Sequence, residues 1–177
     1  MSVCITKSTM ESREEILQKA YDLAFKYEAE RGSCPQCVYS AVMEAVGEGN
    51  PDVVQASDGL AGGSALSTEG TCGALVGGLL AISSVIGRTY DDFSTGKGNR
   101  RIFVYAKKLY DKFIDEYGSI VCKDVHMKLF GRTFDLLDNK DYAEFEKMGA
   151  HVDKCPEVSG KTARWAAEII LDLKKRM

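Results

Sequence analysis

The chain has 177 residues, 45% hydrophobic and 28% charged, with a formal net charge of -3 at pH 7. That is long enough to bury a core in one domain, so folding itself requires no metal, and the interspersed charges form no dense Lys/Arg patch of the kind that binds nucleic acid. The N-terminal MSVCITKSTMESREE lacks the apolar run of a secretory leader and no later stretch reaches bilayer length, so the expectation is a cytoplasmic protein without membrane insertion.

Residues 1 to 10 read as a loose tail and 11 to 177 as a single helical domain. Ser12 and Glu15 form a capping-box pattern, after which Ile16, Ala20, Leu23, Ala24 and Tyr27 recur at helical spacing until Gly32. A second helix is predicted from Cys34-Pro35 to Val46, with proline at its start and Gly47 at its end. A short helix follows from Pro51 to about Ser57. The Gly/Ser-rich loop 58 to 70 contains G-x-x-G-G, which fits neither a dinucleotide fingerprint nor a P-loop, so no nucleotide is expected and the loop is read as packing tightly against helices.

The stretch from Gly70 to Arg88 carries no charge between Cys72 and Arg88 and reads as a buried central helix, apolar all round. Thr71 is its expected N-cap, which puts Cys72 in the first turn. Gly73, Gly77 and Gly78 clear one side for a neighbouring backbone or a ligand, making Gly73 and Gly77 candidate cofactor-facing positions. Beyond a polar connection, Asn99 is expected to cap a long helix with Ile102, Tyr105, Ala106, Leu109 and Phe113 inward, closed by Gly118. Ser119 opens the next, with Cys122 in its first turn and His126 one turn on; Gly131 ends it. The polar segment 132 to 154 holds one helix near Tyr142 to Met148. Cys155-Pro156 then starts a final amphipathic helix carrying Val158, Thr162, Trp165, Ala166, Ile169 and Leu173. With no sustained period of two, the expected fold is an all-α bundle of about six or seven helices.

Of the six cysteines, Cys4 falls in the tail, while Cys34, Cys72, Cys122 and Cys155 each fall at or near the start of a separate predicted helix. Converging helix starts, with their free N–H groups and positive dipole ends, would favour thiolates and metal-bound sulfur. Cys72 is accordingly expected to be the most acidic thiol, the helix end outweighing burial. Cys37, in C-P-Q-C, could resolve a disulfide with Cys34. His126 and His151, each four residues from a cysteine, are weaker candidate ligands. The absence of C-x-x-C-H excludes covalent c-type haem.

The S-C-P-Q-C-V around Cys34, the lead-in G-L-A-G-G, C-G-A-L-V-G from Cys72 to Gly77, and Cys122 and Cys155 together resemble a family of small bacterial and archaeal redox-active proteins named for a four-cysteine pattern. The resemblance spans about Gly32 to the C-terminus and implies a redox role carried by Cys34, Cys72, Cys122 and Cys155. Cys37 departs from the family's usual pattern. The leading expectation is a site in which these four cysteines bind an iron-sulfur cluster or another thiophilic metal for electron transfer or redox sensing. Its rivals are a metal-free thiol-disulfide oxidoreductase acting through Cys34 or Cys72, and a helical interaction protein with structural cysteines. The redox partner, a protein or a small thiol, is left open, as is homodimerisation.

Overall fold

A computed structural model describes residues 11–175, so the tail with Cys4 lies outside the described residues. Among those residues the fold is all-α, with no strand. The helices are α1 (Arg13–Arg31), α2 (Cys34–Val46), α3 (Pro51–Ser57), α4 (Gly73–Ile86), α5 (Tyr90–Ser94), α6 (Arg101–Tyr117), α7 (Cys122–Phe130), α8 (Asn139–Lys147) and α9 (Cys155–Lys174). No helix is long and apolar enough to cross a membrane.

The capping box at Ser12 forms in full: the Glu15 amide donates to Ser12 Oγ at 3.3 Å and the Ser12 amide to Glu15 Oε2 at 2.6 Å. Helices α2, α6 and α7 end on Gly47, Gly118 and Gly131, each in the left-handed region where glycine has no Cβ to clash. Asn99 works from one position earlier than a formal cap, its Oδ1 accepting from the Arg101 amide and its side-chain amide donating to the Ile86 carbonyl.

Packing follows from small residues. On α9, Gly160 lies flat under the Tyr21 ring of α1, where a Cβ would come within 2.8 Å of Cε2. On α4, a Cβ at Gly77 would meet the Pro35 carbonyl oxygen of α2 at 2.5 Å, and one at Gly73 would meet Pro35 Cδ at 2.8 Å. On its other side, a Cβ at Gly78 would meet Leu109 of α6 at 2.7 Å and Thr162 of α9 at 3.2 Å. The glycine-rich helix is thus wedged between α2 and the pair α6 and α9. It shares the centre with α9, which packs on α1, α2, α4 and α6.

One helix start differs from expectation, and another stands where expected but without a free amide at its first residue. Thr71 does not cap α4: it forms an isolated antiparallel bridge with Val121, so the chain is still extended there and Cys72 is itself the N-cap. The bridge also uses the amides of Cys72 and Cys122, which donate to the carbonyls of Ile120 and Gly70 at 2.7 and 2.9 Å. Cys155, for its part, follows a π-helical turn, Ala150–Lys154, and its amide donates to the Ala150 carbonyl, so α9 presents no free N-terminus at that residue.

The loop between α3 and α4 packs tightly, as its composition suggests. Gly62, Gly63, Ser64, Ala65 and Leu66 all have positive φ, making a short left-handed turn. For the three non-glycine residues that conformation costs roughly 1–2 kcal/mol each, offset by what the turn packs against. A Cβ at Gly63 would lie 2.9 Å from Cys122 Cβ, so this loop sits directly on a cysteine.

Candidate functional site

The main core is joined by a smaller cluster built from Phe134, Leu136, Phe145 and Ala150. At the seam between the two lies a cavity of about 310 Å³. Cys34 from the first residue of α2, Cys72 from the cap of α4, Cys122 from the first residue of α7 and Cys155 from the first residue of α9 all line it. The structure therefore brings all four of these cysteines to one wall-lined space, although their sequence separations of 38, 50 and 33 residues match no compact motif. Ala61, Gly62, Leu66, Leu136 and Phe145 supply apolar walls.

The remaining sequence candidates divide. His126 and His151 line the cavity. His126 is buried, with Nε2 3.6 Å from Cys122 Sγ, and Phe130, Phe134 and Phe145 ring it at centroid distances of 5.6, 5.8 and 5.0 Å. That apolar cage pushes its pKa down to about 4 through desolvation, so it is neutral at pH 7. His151 reaches Glu146 through Nδ1 at 2.5 Å. Cys37 is buried outside the cavity lining, its thiol donating to the Gly32 carbonyl. Gly73 and Gly77 are not among the residues lining the cavity; they give room to α2, the close neighbouring backbone expected for them.

Sequence periodicity missed Glu28. It lines the cavity from α1, at 0% exposure, with Oε2 accepting from Ser159 Oγ at 3.1 Å. The signal was available: Glu28 follows Ala20 and Ala24 at intervals of four, which puts a carboxylate on the apolar face of α1. Burial pushes its pKa up, opposed by Cys34, His151, Ser159 and Cys37 around it.

All five described cysteines are free, and burial pushes every one of their thiols up. The expectation that the helix end outweighs burial at Cys72 is thus overturned, and the comparison with Cys4 lies outside the described residues. Desolvation lifts Cys72 to about 11, and the amides of Ala74 and Leu75 in the first turn of α4 offset only part of that. Those amides nevertheless leave Cys72 the least shifted thiol of the five. In reduced, metal-free protein, iodoacetamide mapped by peptide mass should therefore modify Cys72 before Cys122 or Cys34 as pH is raised toward 11. Modification of Cys122 first, with Cys72 open to a small neutral thiol probe, would contradict this ordering.

Among the described residues no three His, Cys, Asp or Glu side chains converge closely enough to hold a single metal ion. The thiols are instead distributed around the cavity. No curated protein and no solved structure matches this chain significantly. Residues 32–169, however, match a protein family over most of the chain. In this chain the glycine-containing motif of that family reads Cys72-Gly73-Ala74-Leu75-Val76-Gly77, with cysteine at the helix cap and glycine where Pro35 leaves no room. The four cavity cysteines and this match together make the chain a member of the family described as "Putative redox-active protein (C_GCAxxG_C_C)".

Proposed function

We propose that this protein is a cytoplasmic electron-transfer or redox-sensing protein in which Cys34, Cys72, Cys122 and Cys155 hold one iron-sulfur cluster. The observation that carries the reading is the meeting of these four cysteines, from four separate elements, around one cavity of about 310 Å³. A single tetrahedral ion asks for donors gathered within about 2.3 Å of one point, which the side chains here do not offer. A cluster spreads its ligands over several irons and so suits thiols set around a space. When bound, it would supply one-electron storage, at a potential set by nearby charge, hydrogen bonding and solvent access. The chain's own part is to deliver four thiols, keep water out with Leu136, Phe145 and Leu66, and hold neutral His126 against Cys122. The electron donor and acceptor are a partner protein or a small thiol.

The metal-free thiol-disulfide reading draws on Cys34 and Cys37, both of which interact with the Glu28 carboxyl. It is the weaker one, because an attacking cysteine must be a thiolate and burial keeps these thiols protonated at neutral pH. The structural-cysteine reading accounts for the burial of Cys72 and Cys122 in the core, but not for the meeting of four cysteines from four elements around one cavity.

Single Cys→Ser variants separate these readings. After anaerobic reconstitution with ferrous iron and sulfide, substitution at Cys34, Cys72, Cys122 or Cys155 should abolish or strongly reduce the visible absorption, while Cys37→Ser should keep it. Equal loss in Cys37→Ser, or no absorption in the unsubstituted protein, would contradict the cluster.

A further inference from the structure

We propose that the surface formed by α5 and the first turns of α6 docks an acidic partner protein. Docking here does not depend on what the cavity holds.

Charge is unevenly spread along the chain. Residues 88–108 hold six Lys/Arg against two Asp, a net charge of +4, so the rest of a chain whose total is -3 carries -7. Arg88, Arg100, Arg101 and Lys108 have no carboxylate partner among the described residues. Two of these cations also stand at the wrong end of a helix for their sign. Arg100 is the N-cap of α6 and Arg101 its first residue, with no acidic side chain in that turn, so both add to the positive end of the dipole. Folding alone would favour Asp or Glu there, and natural chains break such local rules mainly at functional sites.

Apolar side chains are exposed in the same place. Tyr90 and Phe93 of α5 are 80% and 60% exposed, and Phe103 and Val104 of α6 are 69% and 61% exposed. Helix α5 buries no residue, so neither of its aromatic rings belongs to the core. It is nevertheless held in shape by the capping box between Thr89 and Asp92 and by Arg88, which lies over the Phe93 ring at 5.0 Å. The excursion from α4 to α6 begins and ends at one point, because the Asn99 side-chain amide donates to the Ile86 carbonyl at the end of α4. Both apolar pairs therefore flank that junction. Preformed aromatic side chains set among arginines are the groups in which protein interfaces are enriched. The unpaired cations between them call for carboxylates on the facing surface. Asp91 and Asp92 lie within the same surface and would be repelled by the phosphates of an anionic bilayer or a nucleic acid, whereas a protein can answer both signs side by side.

The test is photo-crosslinking with the full chain carrying p-benzoylphenylalanine in place of Phe93 or of Phe103, irradiated in a lysate of the cells it comes from. Both positions should join to the same protein, identified by mass spectrometry, at a peptide rich in Asp and Glu. The adduct should fall several-fold as salt is raised from about 0.05 to about 0.5 M. Arg100→Glu combined with Arg101→Glu should cut it by about ten-fold. That pair suits the start of α6, so the melting temperature should not drop and the loss cannot be laid to unfolding. Lys140→Glu, on exposed α8 surface, should leave the adduct unchanged. The same proteins are also sedimented with phosphatidylserine vesicles and run in a gel-shift assay with nucleic acid. No adduct at either position, an adduct indifferent to the charge reversal, or an adduct with a second copy of this chain would overturn the proposal. Binding to the vesicles or to nucleic acid that the double variant abolishes would overturn it as well.

Discussion

Gly77→Leu is expected to lower the stability of the metal-free protein by about 3 kcal/mol and to abolish cluster assembly, because the side chain would have to enter the backbone of α2. Even a Cβ at this position would stand 2.5 Å from the Pro35 carbonyl oxygen, 3.0 Å from Pro35 Cα and 3.0 Å from Val38 Cβ. Carbonyl and Cα atoms cannot swing aside as the end of a side chain can, so α2 and α4 must separate. Those two helices carry Cys34 and Cys72, and their separation would remove two of the four thiols from the cavity together. Denaturant unfolding of the metal-free variant measures the first effect, and iron content after reconstitution the second. Gly98→Ala is the control, since a Cβ there meets nothing within 4 Å. Its effect should stay within about 0.5 kcal/mol. A Gly77→Leu protein with unchanged unfolding midpoint and full iron uptake would show that α4 does not lean on α2.

Alkaline pH should destabilise the metal-free protein, and metal should reverse the effect. An unfolded cysteine loses its proton near pH 9, whereas folded Cys72 holds its proton to about 11. Between those values the folded state binds more protons, so stability is fully present below pH 9 and falls as pH rises toward 11. For Cys72 alone the gap corresponds to about 3 kcal/mol. Cys34, Cys37, Cys122 and Cys155 are shifted in the same direction by burial and steepen the loss. On the acid side His126 acts oppositely: held to about 4 when folded, it costs stability as pH falls below its ordinary 6.5. Because metal ligation requires thiolates, binding displaces these protons, and the reconstituted protein should keep its melting temperature well above pH 9. A metal-free melting temperature that is flat from pH 7 to 11 would mean that these thiols are solvated rather than buried.

The helices were legible where the determinants are local. Ser12 with Glu15, and Gly47, Gly118 and Gly131, act through neighbours a few residues away, and the chain obeys them in place. The start at Cys155 was legible in place, whereas the cap expected at Thr71 was misjudged because its cause is distant. Thr71 is held extended by Val121, fifty residues on, and the turn before Cys155 winds as a π-helix from Gly149. Neither leaves a mark in the local pattern. The grouping of Cys34, Cys72, Cys122 and Cys155 could be read from their shared place at helix starts, but not the acidity of Cys72. That depends on how completely the Phe134 cluster and the loop from Gly62 to Leu66 close the cavity, which only the packed fold determines. Glu28 was visible as a carboxylate on the apolar face of α1, and a reading of that face that stopped at Tyr27 passed over it.

The most direct measurement is the iron and acid-labile sulfide content of the protein purified without exposure to air, taken with its visible spectrum. The expected result is a brown protein with at least two irons and a matching amount of sulfide per chain. A colourless protein without iron or sulfide, which also takes up neither on anaerobic reconstitution, would contradict a cluster held by Cys34, Cys72, Cys122 and Cys155.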